Sequence, residues 1–149
     1  MKPLRRVPAA DVAALTKALG EALDGGDAVW PVPASASAEP RHVARTAAGD
    51  DTSEHFERQD SGVQGQPTVN ERVALVVETS GSTDAPKRVM LSAEALIASA
   101  DATADRLDGP GRWVLALPGH YIAGVQVLVR SILAGTTPVV LPDGPFTPE

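Results

Sequence analysis

Five apolar residues, Val73-Ala74-Leu75-Val76-Val77, run without a polar break into Glu78-Thr79-Ser80-Gly81-Ser82-Thr83-Asp84-Ala85-Pro86-Lys87. A run this apolar reads as a buried strand, and a buried strand must be covered on both faces, which points to a sheet layered with helices. A strand that empties into small hydroxylated residues leaves backbone N–H groups and hydroxyls turned to solvent. With one ammonium to follow, that is what a polyanion such as a nucleotide phosphate requires. The competing reading is an ordinary polar turn, since Ser, Thr and Gly gather in loops of every kind.

The flanking segments support the layered reading. Near the start, Asp11 caps an expected helix whose Val12, Leu15, Leu19 and Leu23 recur at helical spacing until Gly25-Gly26. The stretch 28–32 is a short strand, and Pro31 places it at a sheet edge. After the loop, 88–91 resumes as strand and Ser92 caps a helix with Ala93, Leu96, Ile97, Ala100, Ala104 and Leu107 on one stripe. Asp108-Gly109-Pro110-Gly111 stops it. A strand follows over 112–117, too uniformly apolar for a wet face, then a turn at Pro118-Gly119-His120-Tyr121. A helix over 122–134 directs Val125, Leu128, Val129, Ile132 and Leu133 inward and ends at Gly135. The stretch 137–141 is the last strand. The expected class is α/β, with a partial, mostly parallel sheet and covering helices.

Three regions follow: an N-terminal helix and strand over 1–32, an insertion over 33–70, and the α/β region over 71–149. The insertion is rich in Ala, Ser, Pro, Gly, Gln and charge and has few large apolar residues, Val43, Phe56 and Val63 among them. Such a composition predicts a loose or disordered segment. His42 and His55 within it lack the neighbours of a zinc site.

Gly81 and Lys87 have the separation found in the P-loop of kinases and GTPases, but Pro86 stands where the second glycine belongs and Arg88 where the magnesium-binding hydroxyl belongs. A proline has no N–H to offer a phosphate. The run instead resembles the phosphate-loop signature of the adenylate-forming superfamily of acyl-CoA synthetases and ligases, Thr-Ser-Gly-Ser/Thr-Thr-Gly, any residue, then Pro-Lys. Thr79 to Lys87 matches every fixed position but Asp84, where that family has glycine. Asp84 adds a negative charge beside the expected triphosphate.

The resemblance extends to Leu117-Pro118-Gly119-His120-Tyr121-Ile122-Ala123-Gly124, which looks like the family's strand end, histidine and helix-opening glycine. The family's usual histidine falls on Tyr121, one residue after His120. Within the superfamily the blocks 86–92, 109–113 and 120–128 look like the actinobacterial o-succinylbenzoate-CoA ligases of menaquinone biosynthesis. The likeness implies ATP, Mg²⁺ and CoA, with a carboxylate activated to an acyl-adenylate and passed to the CoA thiol. Thr79, Ser80, Gly81, Ser82, Thr83 and Lys87 are then the nucleotide-binding set, with Lys87 and Thr83 in catalytic roles, Thr83 at the metal, and His120, Tyr121 and Gly124 positioning the acid. Another carboxylic acid, or a degenerate chain in which Asp84 records lost nucleotide binding, are the alternatives. The family's adenine-binding and C-terminal lysine motifs are not found before Glu149, so the chain reads as an N-terminal fragment, inactive alone.

The remaining totals exclude more than they select. With 149 residues, no cysteine and a formal charge of −6, the chain is sized for one core, has no disulfide or thiolate metal site, and lacks the clustered basic charge of a nucleic-acid binder. No apolar run is of membrane-spanning length, and a cytoplasmic location is expected. A homo-oligomer is left open for a full-length form.

Overall fold

The computed structural model describes residues 1–34, 66–79 and 86–142. In order these form β1 (Lys2–Pro8), α1 (Val12–Leu23), β2 (Ala28–Val32), β3 (Thr68–Val69), β4 (Val73–Thr79), β5 (Lys87–Ser92), α2 (Ala93–Arg106), β6 (Val114–Leu115), α3 (Ile122–Leu133) and β7 (Val139–Val140). Five strands make one sheet in the order β3-β1-β2-β4-β5, and β6 and β7 pair separately.

The class is α/β, as expected, but the sheet is mixed. β1 with β2, β2 with β4 and β6 with β7 run parallel, whereas β3 on β1 and β5 on β4 run antiparallel. The chain between Thr79 and Lys87 is shorter than the roughly dozen residues of a parallel crossover, so β5 can only fold back on β4.

Pro31 does not mark an edge. β2 lies inside the sheet between β1 and β4, and all five of its residues are buried. The Ala9 N–H donates to the Val32 carbonyl at 2.8 Å, so by strand alternation the Pro31 nitrogen faces β4. The β2–β4 pairing covers Val29 with Leu75 and does not reach Pro31, so no ladder bond is lost. β1 itself is absent from the sequence reading, because Pro3, Pro8 and Arg5-Arg6 interrupt any alternating pattern. Thr68–Val69, at the end of the stretch read as an insertion, forms β3 against Lys2 and Pro3. Residues 35–65 lie outside the described residues. The N-terminal ammonium donates to Glu71 at 2.9 Å. That bond, reinforced by the ammonium's charge, holds the Glu71 carboxyl below its usual range.

One face of the sheet meets the helices. Val7, Val29, Leu75 and Val77 join Leu15, Leu19, Leu96, Leu115, Val125 and Leu128 in a single core. The other face presents Leu4, Trp30, Val32, Val73 and Val76, also buried.

Asp11 and Ser92 accept hydrogen bonds from the Ala14 and Ala95 N–H groups, at 2.9 and 3.2 Å, and so cap α1 and α2 as their positions predict. Among the described residues, all three helices end in the same way. The N–H two residues past the C-cap returns to the carbonyl three before it: Gly26 to Glu21, Gly109 to Ala104 and Thr136 to Ser131. The residue between is left-handed each time, with Gly25 at φ 92°, Asp108 at 64° and Gly135 at 63°. This is the Schellman arrangement, and aspartate tolerates the left-handed position.

Two expected inward residues are not inward. Leu107 is the C-cap of α2 and 60% exposed, and Leu133 is 44% exposed. The expected strand over 112–117 shrinks to Val114–Leu115, with Val114 and Leu117 about half exposed. The β6–β7 pair is separate from the main sheet, and its packing partner is α3, so only Leu115 finds cover. Ser131 is fully buried on α3 with no partner for its hydroxyl. Ser131→Ala is expected to be neutral or stabilising by up to about 1 kcal/mol, because it removes an unpaired polar group. The midpoint of urea denaturation reads this directly, and a clear loss of stability would contradict it.

Candidate functional site

Thr79 and Lys87 face each other as the last and first residues of β4 and β5. The mouth of the hydroxyl-rich loop is therefore a strand hairpin at the carboxyl end of β4, the end at which open α/β sheets hold ligands. The Thr79 hydroxyl donates to the Lys87 carbonyl at 3.4 Å, a long bond that leaves the oxygen free to turn outward. Lys87 is exposed, and among the described residues its ammonium has no ion pair or hydrogen bond. Ser80, Gly81, Ser82, Thr83 and Asp84 lie outside the described residues.

One rung inward, Glu78 faces Arg88, and the Arg88 Nε donates to the Glu78 carboxylate at 3.2 Å. Both side chains are partly exposed, at 38% and 50%. As an ion pair alone this contributes about 1 kcal/mol or less. Neither charge is an isolated surface group. The hairpin register makes them a pair, and that register becomes readable once β5 is known to return on β4.

The second set lies at the start of α3. The Tyr121 N–H donates to the Pro118 carbonyl at 3.1 Å, which closes the expected turn. The turn is seated because Gly119 is buried against Leu15: a Cβ there would come within 2.7 Å of the leucine's Cδ2. His120 is half-buried and its ring lies 4.2 Å from that of Tyr121, centre to centre. Tyr121 is 52% exposed and is the N-cap of α3, with no side-chain cap bond. Gly124 is buried, and its missing side chain is what lets α3 touch the Leu117 and Pro118 carbonyls. Among the described residues no hydrogen bond or ion pair joins the His120 group to Lys87.

A third feature escaped the sequence reading. A cavity of about 240 Å³ opens between α2 and α3, with Ala100, Asp101, Pro110, Trp113, Arg130 and Leu133 among its walls. The Arg130 guanidinium lies over the Trp113 ring, 4.8 Å from its centroid. Its Nε and the Gln126 Oε1 are buried without partners. The available signal was Gln126 and Arg130 at i and i+4 in a mostly apolar helix, which places two polar groups on one stripe. A guanidinium with an unused donor beside an indole face suits a carboxylate carried on an apolar or aromatic body.

Among the described residues no group of three or more His, Cys, Asp or Glu could hold a metal ion, and Thr83 is not among them. No helix there is long and apolar enough to cross a membrane.

The family model of the AMP-binding enzymes matches residues 10–149. Over 73 residues, 49% of this chain, the sequence is 59% identical to a probable 2-succinylbenzoate–CoA ligase of Mycobacterium tuberculosis, in both strain CDC 1551 / Oshkosh and strain ATCC 25618 / H37Rv. That match spans 19% of each relative. No solved structure matches the chain.

Proposed function

The chain belongs to the AMP-binding enzyme family, and on that premise we propose that it forms part of an ATP-dependent acid–CoA ligase whose acid is an aromatic dicarboxylate of the 2-succinylbenzoate kind. In this reaction a carboxylate oxygen attacks the α-phosphorus of ATP and pyrophosphate leaves. The CoA thiol then attacks the acyl carbon and AMP departs.

The observation that carries the reading is the exposed Lys87 ammonium, unengaged among the described residues, at the mouth of a hydroxyl-rich hairpin on the carboxyl end of β4. Such a group breaks no described contact when it is recruited and meets the β and γ phosphates as a point charge. The Thr79 hydroxyl adds a donor at the same mouth. Ser80, Gly81, Ser82 and Thr83 complete the cradle in this proposal, through hydroxyls and backbone N–H groups. Magnesium supplies further neutralisation when bound with the nucleotide. The described residues offer no carboxylate cluster for it, and its protein contact is assigned to Thr83 by the resemblance alone.

The acid lies along α3. His120 and Tyr121 flank its reacting end in a positioning role, and Gly124 supports them by close packing. Arg130 lies roughly two and a half turns further along the helix and receives the second carboxylate. Trp113 and the apolar walls take the ring. At about 240 Å³ the cavity is below the usual range for drug-sized ligands, about 300–1,000 Å³, and suits one ring and its carboxylate.

Binding of 2-succinylbenzoate, followed through Trp113 by NMR, tests this. Arg130→Lys is expected to weaken it by about tenfold or more, because a lysine provides neither the planar donor pair nor the indole stack. Affinity unchanged by the substitution would remove the dicarboxylate assignment and leave the ligase family intact. Asp84→Gly is expected to tighten ATP binding. If an ATP analogue binds neither form, the degenerate alternative replaces the catalytic one.

A further inference from the structure

Trp30 is stacked against two guanidinium groups that reach it from different strands. Arg6 faces it across the β1–β2 register, with its Cζ 4.9 Å from the ring centroid. Arg88 comes from β5, beyond β4, and brings its Cζ to 4.2 Å while keeping its bond to Glu78. The indole is only 8% exposed and belongs to the apolar cluster on the sheet face away from the helices.

Strand alternation divides the work at the hairpin mouth between the two faces. Leu91 packs into the helix-side core, so Val89 and Lys87 share that side. Arg88 and Glu78 lie on the other, with Val76 and Trp30. β5 is an edge strand, and Lys87 to Met90 are all exposed. A strand so placed frays readily, because little apolar contact opposes its opening. Arg88 supplies a tie one residue from the amine, joining the mouth to a buried ring on the interior strand β2.

We infer that Arg88 is a positioning residue for phosphate binding: through Glu78 and Trp30 it fixes the hairpin mouth so that the neighbouring Lys87 ammonium is presented to a polyphosphate. The inference rests on the phosphate-loop reading of 79–87. It takes Arg88 to act through its neighbours, with no contact to the ligand. Only arginine meets the requirement, since the planar group must donate to a carboxylate along its edge while its face lies on an indole. An ammonium at the same place keeps the charge and loses the geometry.

The test uses the full chain, with tripolyphosphate as probe and Arg88→Lys as the variant, so that net charge is unchanged. Affinity is measured by calorimetry, and the Trp30 indole N–H is followed in ¹⁵N spectra, where it is resolved from Trp113. The wild-type chain is expected to bind saturably with a shift of the Trp30 signal. Arg88→Lys is expected to weaken binding about tenfold and to abolish that shift, with the thermal midpoint close to wild type because the ion pair is partly exposed. Should the wild-type chain fail to bind tripolyphosphate, the phosphate-loop reading falls and this inference with it. Should it bind while Trp30 stays silent, or Arg88→Lys bind as tightly, the inference alone is overturned. A variant that does not fold would show Arg88 to be structural, and the Trp30 signal of the wild-type chain then decides on its own.

Discussion

Gly124→Ala is expected to destabilise the fold by about 3 kcal/mol or more, against the roughly 1 kcal/mol gain that alanine usually brings inside a helix. A Cβ at this position would stand 2.4 Å from the Pro118 carbonyl oxygen and 2.9 Å from that of Leu117. Both obstacles are backbone, so neither can rotate away as a side chain would. The helix must slide or the turn must open. Either movement displaces Val125, Leu128 and Val129, which are fully buried in the common core. A domain holds only about 5–15 kcal/mol in total, so the loss should appear as a clear fall in urea midpoint with little change in slope. An unchanged midpoint would mean that α3 does not press on the strand end as described. In a full-length ligase the same substitution should also impair use of the acid, because the turn bearing His120 and Tyr121 would be moved.

Lys87→Ala carries the largest expected effect on binding. Its ammonium makes no contact within the described residues and its side chain is exposed, so stability should stay within about 0.5 kcal/mol of wild type, as for most surface changes. Affinity for ATP should fall by roughly 10- to 100-fold, the worth of a charge-assisted contact of about 1.5–3 kcal/mol. The contrast between an unmoved denaturation curve and a lost binding isotherm is the signature sought. Equal affinity in the two proteins would show that the amine does not meet the phosphates. A matching loss of stability would show instead that Lys87 serves the hairpin.

Much of this layout is legible before any coordinates, for identifiable reasons. Asp11, Ser92, Gly25, Asp108-Gly109 and Gly135 act on the chain within a few residues of themselves, and each marks a helix end where its own chemistry requires one. Strand partners are different, because they are fixed by distant residues. Pro31 suggested an edge and proved interior, since its nitrogen faces a part of β4 with which it is not paired. The alternation of strands and helices suggests a mostly parallel sheet, and the short connection into β5 turns that strand back on β4 and makes the sheet mixed. β1 was unseen because its buried residues are Leu4 and Val7, three apart, a spacing that strand alternation does not produce and that Pro3 and Pro8 keep from reading as a helix.

The site divides along the same line. Lys87 and the His120–Tyr121 turn are candidates that a local run of residues nominates, whereas Arg130, Arg88 and Glu78 are not. Their significance comes from what they meet, the Trp113 ring stacked under Arg130 at the cavity wall and the Trp30 ring under Arg88 two strands away. In these cases the residue type alone is uninformative until a tertiary neighbour is supplied.

The three helix ends closed by their own backbone have a further consequence for how the molecule comes into being. A terminus that satisfies its carbonyls locally does not wait for a distant strand to define it, so α1 can reach its final length while the rest of the polypeptide is still being made. With β1 and β2 on either side of it, the opening 32 residues already contain a complete strand–helix–parallel strand unit. This unit can thus serve as the template on which β4, arriving later from the ribosome, finds its register.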